Sequence, residues 1–143
     1  MRIPESTLMM EAILIPAGTV ITEKGDSPVI DIATAESCVF LLDMKITEGV
    51  EQQSFDCWLL GSTDGTNWAP KPLATLPQYF YVGEYPTLLD LSADTQTKFL
   101  RLHWEVSRWG RGELKPRFNC GMTLREVAPA LLIEARAEAQ ARR

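Results

Sequence analysis

Residues that could carry acid–base or nucleophilic chemistry are few and scattered in this chain of 143 residues. His103 is the only histidine, and neither a GxSxG motif nor a Cys-His arrangement accompanies it. Two neighbouring carboxylates can act as general acid and general base. The acidic candidates fall among predicted turns and strand faces, with no spacing that forces two of them together: Glu84, Asp90, Asp94 and Glu105. The sequence therefore predicts no catalytic residue, and we expect a protein that is not an enzyme.

The sequence offers no metal or cofactor site either. A metal site built on Cys38, Cys57 and Cys120 would need histidine partners beyond His103, and the three cysteines show no CxxC spacing. Each cysteine falls on the apolar phase of a predicted strand, so we expect three buried free thiols. The glycine-containing stretch 110–112 is too short to cradle a phosphate and precedes a strand rather than a helix. We expect no bound metal and no cofactor.

Aromatic side chains are the remaining candidates for ligand contact. A sugar ring stacks on an aromatic face while its hydroxyl groups form hydrogen bonds with polar neighbours. The rings that could serve a glycan are Trp68, Tyr79, Tyr81, Tyr85 and Trp109. The same rings could instead cover the ends of a β-sandwich or a contact with another subunit, and the sequence is compatible with both interpretations.

The charge balance narrows the choice of partner. The formal net charge is -5 and the pI is near 4.9, whereas a protein that holds nucleic acid through its overall field is rich in Lys and Arg. Basic residues do gather near one predicted hairpin, where a solvated face is a simpler explanation than contact with DNA or an acidic surface: Arg101, Arg108, Arg111, Lys115 and Arg117. Direct contact with nucleic acid is not expected.

Nothing in the sequence predicts a membrane segment or a secretory signal. No window approaches the roughly 18 uninterrupted apolar residues that a spanning helix needs, and residues 1–6 lack a charged region followed by an apolar run. With 45% hydrophobic and 23% charged residues, the composition is that of a globular protein. We expect a soluble protein.

The stretch Ser54–Trp68 is the most informative element that could position these residues. In its first half, every second residue is apolar, and this period of two places three apolar side chains on one face of a strand: Phe55, Cys57 and Leu59. Residues 61–67 are dense in turn-forming types, so the stretch predicts a hairpin tip with Trp68 at the start of the next strand. Trp58 and Leu60 lie on the phase that should face water, and we predict that both contact a partner.

Further short strands are predicted along the chain, separated by turns. They cover residues 7–15, 19–22, 28–32, 38–47, 88–91, 98–107 and 117–124, with an aromatic stretch at 79–82 that suits a strand or a long loop. Residues 16–18, Pro-Ala-Gly, predict a turn between the first two. The longest clean alternation, Cys38–Thr47, predicts a central strand that forms an antiparallel hairpin with the strand after it. Phe99–Leu124 predicts a second long hairpin.

This pattern is typical of an all-β antiparallel β-sandwich of jelly-roll type, which we expect to span residues 1–126. Residues 127–143 differ, because Pro129 suits the first position of a helix and strong helix formers follow it. They predict a C-terminal helical arm whose large apolar residues are Leu131, Leu132 and Ile133. Since a helix this short is marginal in water on its own, we expect the arm to pack on a partner chain or to fray.

The segment Ser62–Trp68, STDGTNW, resembles the S-x-DG-x-x-W hairpin of discoidin-like carbohydrate-binding modules and of jelly-roll proteins of phage virions. The resemblance to small phage or prophage structural proteins extends over Phe55–Leu124, about half of the chain, through the Pro-rich link and the FLRLHW run at Phe99–Trp104. It implies a virion component made in the bacterial cytoplasm, such as a capsid accessory, decoration or connector subunit. The weaker resemblance to discoidin-like modules implies glycan binding instead.

From the sequence we therefore expect a non-enzymatic structural subunit of a larger assembly. Its expected partners are copies of itself or other virion proteins, and a glycan is expected only under the carbohydrate-binding alternative. Apolar residues on both phases of the central strands, such as Val39 and Leu41, exceed what one buried face requires and suit contact between subunits.

Overall fold

The computed structural model describes residues 10–110 and 115–127, and in these ranges the chain is built from β-strands without a helix. The strands are β1 (Glu11–Ile21), β2 (Gly25–Asp26), β3 (Ile30–Asp31), β4 (Val39–Gly49), β5 (Gln53–Ser62), β6 (Ala74–Thr75), β7 (Gly83–Asp90), β8 (Phe99–Arg108) and β9 (Phe118–Glu126). The predicted helical arm, with Leu131, Leu132 and Ile133, lies outside the described residues.

The strands form two antiparallel sheets. One has the order β1-β9-β4-β7, and the other has the order β2-β8-β5-β6, with β3 also paired to β8. β4 is an inner strand, and the side chains on its inward phase are all buried: Phe40, Leu42, Met44 and Ile46. For the residues that the structure describes, the prediction of an all-β fold with antiparallel strands is confirmed.

The two sheets face each other across one core, as in a β-sandwich. Phe55 of β5 and Phe118 of β9 meet edge to face with ring centroids 5.1 Å apart, although they belong to opposite sheets. Phe55 also meets the ring of Tyr79, 6.4 Å away, which enters the core from the connection after β6. Edge-to-face pairs add to the gain from the area that each ring buries. These three rings therefore tie both sheets and one connection together.

The two hairpins predicted for Cys38–Leu59 and Phe99–Leu124 are wrong. β4 and β5 follow each other along the chain but lie in different sheets, and so do β8 and β9. Instead, β4 pairs with β7 and β9, while β5 pairs with β8. Alternation shows only which side chains face the core, and the same inward phase fits a strand in either sheet. The chain therefore changes sheet after β4 and again after β8, and no periodic signal in the sequence marks either change.

Residues 16–18 do not form the predicted turn. They lie inside β1, a continuous edge strand paired with β9, and the register shifts on both sides of Ile15. Gly18 adopts a φ of 83°, which glycine tolerates at a bulge. Ala17 comes so close to β9 that a Cβ added to Gly121 would lie 2.7 Å from the Ala17 Cα. The bulge distorts the free edge of β1, which discourages pairing with another sheet.

The turn at Ser62–Trp68 is held by the Asp64 carboxylate. Its Oδ1 accepts hydrogen bonds from the backbone N–H groups of Thr66 and Asn67, and its Oδ2 accepts one from the Asn67 side-chain amide, each at 2.8 Å. These hydrogen bonds stabilise the ionised carboxylate and lower the pKa of Asp64. Ser62 pairs with Trp68, and the chain returns along β5 as β6. The segment is the hairpin tip that its composition predicts, and its polar groups are used within the turn.

Candidate interaction surfaces

Four exposed apolar side chains gather at one end of the sandwich, and we call them the aromatic patch: Phe80, Tyr81, Val82 and Trp109. The first three lie in the connection between β6 and β7, and Trp109 directly follows β8. Tyr81 is 78% exposed and Trp109 is 59% exposed. The other large apolar side chains that are exposed in the described part of the chain are Ile13, Val20, Val29 and Leu88. A cluster of large apolar side chains in water marks a contact site.

Ring contacts and hydrogen bonds hold the patch in place. The centroid of the Phe80 ring lies 6.1 Å from that of the Tyr81 ring and 6.2 Å from that of the Trp109 ring. The Tyr85 hydroxyl donates a hydrogen bond to the Tyr81 backbone carbonyl at 2.7 Å. The Trp109 backbone N–H donates a hydrogen bond to the Gln52 backbone carbonyl at 3.0 Å. Phe80 is therefore the centre of the patch, and the residues on its two sides, Tyr81 and Trp109, are each held by one of these hydrogen bonds.

Tyr79 anchors the connection that carries the patch. Its backbone exchanges two hydrogen bonds with Phe55, at 2.9 and 3.0 Å, and its ring lies 5.1 Å from the ring of Tyr85. Burial raises the pKa of Tyr79 to about 12. Because Tyr79 is only 1% exposed, it packs in the core and does not reach a ligand. Tyr85 is half-buried behind the patch.

A cavity of about 470 Å³ lies between the patch and the connection from β4 to β5. Its volume is in the range that small-molecule sites occupy. Polar side chains are supplied by Glu51 and Gln52. Gln52 adopts a φ of 56°, which is unusual for a residue other than glycine. The cavity therefore combines exposed rings with hydrogen-bonding side chains.

Gln53 connects this end of the molecule to the opposite sheet. Its side chain is buried, with Nε2 donating to the Arg117 carbonyl at 2.8 Å and Oε1 accepting from the Arg117 N–H at 2.7 Å. Gln53 is the first residue of β5, and Arg117 directly precedes β9. The Gln53 side-chain amide thus links the start of β5, in one sheet, to the start of β9, in the other sheet.

Trp68 lies at the other end of the sandwich from the patch. It pairs with Ser62, the last residue of β5, and the guanidinium carbon of Arg101 lies 4.6 Å from its ring centroid. Such a cation over an aromatic face is attractive. Of the five predicted ligand residues, only Tyr81 and Trp109 come together at an exposed site. Sequence reasoning missed Phe80, Val82 and Gln52, for which the aromatic run at 79–82 was the available signal.

Trp58 and Leu60 lie on the outer face of the second sheet, as their phase predicts. The Trp58 ring stacks on the His103 ring, with centroids 5.9 Å apart and an interplanar angle of 30°. His103 Nδ1 in turn lies 2.9 Å from Asp26 Oδ1. Leu60 is opposite Arg101 in the register. Both predicted interface residues are half-buried by side chains of their own chain, and their contact with a partner stays a prediction.

Carboxylates come together at one place that the sequence did not indicate. The register sets Asp56 directly opposite Glu105 on the outer face of β5 and β8, and Glu105 Oε2 lies 4.0 Å from His103 Nε2. Glu84 is elsewhere, with Oε1 3.8 Å from Lys45 Nζ. Within residues 10–110 and 115–127, no group of three or more His, Cys, Asp or Glu side chains is arranged to hold a metal ion.

The prediction of three buried thiols is wrong for Cys38. This residue is exposed, because it lies one residue before β4 begins and the alternation does not carry it into the core. Cys57 and Cys120 are buried, and all three cysteines are free. Burial raises the pKa of Cys57 far above its usual range and that of Cys120 to about 11. Both buried thiols are therefore protonated at neutral pH and poorly nucleophilic.

Comparison with known proteins does not assign the chain to a family. No protein-family model matches it, and no match to a curated protein sequence was found. A search of the described ranges found no helix with the length and apolar character needed to cross a membrane.

Proposed function

We propose that the chain is a non-enzymatic structural subunit of a larger protein assembly. The aromatic patch is the observation that carries this proposal. The core is filled by other side chains, and none of the four residues of the patch packs into it. Their exposed apolar surface therefore does not serve the packing of the fold. Aromatic residues are enriched at the centres of protein interfaces, where their burial contributes roughly 25 cal/mol per Å² of apolar surface removed from water.

The strand order also supports a jelly-roll fold. β2 and β3 both pair with β8, so we count them as one strand position, which gives each sheet four positions. Among these positions, β5 and β6 are the only two that follow each other along the chain and are also neighbours in the same sheet. This order fits two interlocked Greek keys, the arrangement of double-sheet jelly rolls. Viral capsid domains and lectin domains both use that fold, so it is compatible with either candidate function and selects neither.

The assembly that we propose is the particle of a phage or prophage. The chain would serve there as a capsid accessory, decoration or connector protein, with copies of itself or other virion proteins as partners. The resemblance of Phe55–Leu124 to small virion proteins supports this setting. To test it, particles are induced from a bacterium that carries the gene and are purified on a density gradient, where we expect the chain in the particle band. Its absence from complete particles would contradict the phage setting.

The assembly role has a separate test on the patch itself. In the full chain, Tyr81→Ser and Trp109→Ser together should weaken association, measured by light scattering and by capture of partners from the producing cell. Val29→Ser is the matched control, because Val29 is also an exposed apolar residue but lies between β2 and β3. Circular dichroism should be unchanged in both variants. Association that the patch variant leaves intact would contradict a role for the patch in assembly.

A carbohydrate-binding module of discoidin-like type is the second candidate. The cavity beside Tyr81 and Trp109 favours it, because it sets exposed aromatic rings beside hydrogen-bonding side chains, and a sugar requires both. If a monomeric chain is retained by an immobilised glycan and Tyr81→Ala abolishes the retention, this function replaces the structural one. Trp68→Ala is the control at the opposite end of the molecule and should leave retention unchanged.

A further inference from the structure

A short proline-containing segment lies towards the end of the molecule opposite the aromatic patch. We call residues Pro70–Pro72, with Lys71 between the two prolines, the proline link. Pro70 and Lys71 are exposed, and Pro72 is half-buried. Proline has a fixed φ and no backbone N–H, so the link presents a stiff apolar surface that does not extend the neighbouring sheet. The link is not part of the core, and its exposed prolines have no role in the packing of the fold.

Hydrogen bonds to β5 hold the link on both sides. On one side, the Ala69 N–H donates to the Gly61 carbonyl at 3.1 Å. On the other side, the Leu73 N–H donates to the Leu59 carbonyl at 2.8 Å. The backbone of the link is therefore ordered before a partner arrives, which lowers the entropy that binding costs.

The cavity beside the aromatic patch has the apolar surface that a proline link requires. Proline-rich segments dock in grooves that are lined by aromatic rings. Phe80, Tyr81 and Trp109 all line this cavity, whose volume is about 470 Å³. Because Tyr81 and Trp109 are exposed over most of their surface, covering them with proline rings removes apolar area from water.

The charges of the cavity and the link are complementary. Among the described residues that line the cavity, Glu51 is the only charged one. The neighbouring cation, Arg108, donates its Nε–H to the Glu51 backbone carbonyl at 3.3 Å. Within residues 10–110 and 115–127, neither the Glu51 carboxylate nor the Lys71 ammonium group forms an ion pair. The cavity thus offers aromatic rings and one negative charge, and the link offers two prolines and one positive charge.

We propose that the cavity binds the proline link of a second copy of this chain, so that the prolines pack on the exposed rings and Lys71 pairs with Glu51. The proposal names the partner of the aromatic patch, and it rests on the assembly role proposed above. The apolar contact supplies most of the affinity, while the ion pair at its edge fixes which way the link lies in the cavity.

The link that fills the cavity comes from another molecule, because the chain holds its own link too far away. Ala69, which precedes the link, is hydrogen-bonded to Gly61, whereas Tyr79, which precedes the patch, is hydrogen-bonded to Phe55. Gly61 and Phe55 are six residues apart on β5, which corresponds to about 20 Å at about 3.3 Å for each residue. Both places are fixed to the same strand, so the distance between them does not close.

Charge reversals in the full chain test the pairing. Lys71→Glu and Glu51→Lys each place like charges together in the contact, where they repel strongly. Each variant alone should self-associate at least tenfold more weakly than the parent in analytical ultracentrifugation, and an equimolar mixture of the two should recover association. Lys24→Glu and Glu36→Lys are the matched controls, because both residues are exposed and lie outside the link and the cavity, and they should associate like the parent.

A second pair of variants tests which surfaces meet. One chain keeps the link but carries Tyr81→Ser with Trp109→Ser, and the other keeps the patch but carries Pro70→Ser with Lys71→Glu. Each should be monomeric alone, and their equimolar mixture should contain a heterodimer, since one intact link then meets one intact cavity. Circular dichroism should match the parent for both, because all four side chains are exposed.

A monomeric parent, self-association that the link variants leave intact, or mixtures that stay dissociated would overturn the proposal. The assembly role fails separately. If the patch variant loses association while the link variants keep it, a surface other than the proline link covers the patch, and the structural role stands. If the patch variant also keeps its association and its partners from the producing cell, the patch has no role in assembly.

Discussion

The two hydrogen bonds of Gln53 show how firmly the patch end is held. Replacing Gln53 by alanine removes both bonds to Arg117, at 2.8 and 2.7 Å. Each contributes about 1 kcal/mol net, and the buried site is 2% exposed, so no water replaces the lost side chain without rearrangement. We expect the free energy of unfolding to fall by about 2–3 kcal/mol in the alanine variant.

Urea denaturation measures this change as a lower midpoint at constant slope. Gln53→Glu is the informative companion, because it keeps the acceptor oxygen for the Arg117 N–H but replaces the donor with a second oxygen that faces the Arg117 carbonyl. A buried carboxyl without a cation has a pKa above its usual range. Its destabilisation is therefore present at neutral pH and is lost as the pH falls and the group becomes a donor. An alanine variant within about 0.5 kcal/mol of the parent would show that other contacts hold this end.

The remaining predictions concern a thiol pattern, a strained backbone and a turn. Ellman's reagent should titrate Cys38 quickly in the native protein and all three thiols in denaturant; fast reaction of Cys57 or Cys120 would contradict their burial. Gln52→Gly should raise stability by up to about 1 kcal/mol in urea, because glycine adopts the φ of 56° without steric cost; a loss would mean that the side-chain contacts outweigh the strain. Asp64 has a lowered pKa in the folded state, so its contribution is present above the unfolded pKa and is lost as the pH falls below about 4. Asp64→Asn should therefore lose less stability than the parent between pH 5 and 3, and equal losses would contradict the turn's hydrogen bonds as the cause.

Local alternation predicted the core because burial acts on each side chain separately. Phe40, Leu42 and Met44 of β4 are buried as their phase requires, and the inner position of that strand was expected from the length of the pattern. The sheet to which a strand belongs is a different property, decided by its connections. The crossing from β4 to β5 passes through Gln52 in a left-handed conformation, and a glutamine carries no sequence signal for that backbone.

Adjacent residues of similar type can also differ in burial, because the local backbone conformation decides which side chain turns into the core. Tyr79, Phe80 and Tyr81 are adjacent aromatics, yet only Tyr79 is in the core, because its backbone pairs with Phe55 and turns its ring inward. No periodic pattern in this short run separates the three. The exposed site could therefore be predicted as a set of aromatic residues but not as a particular patch.

Trp58 on the outer face of β5 is a weaker candidate for partner contact than the aromatic patch. A tryptophan on the wet face of β5 needs cover, and a partner was the sequence-based expectation. The register instead sets His103 and Thr75 on either side of it, and Asp26 of β2 holds His103 from the sheet edge. Since the chain itself shields much of this ring, burying Trp58 in an interface would remove little further apolar area. Tyr81 and Trp109 are exposed over most of their surface, so they gain more from being covered.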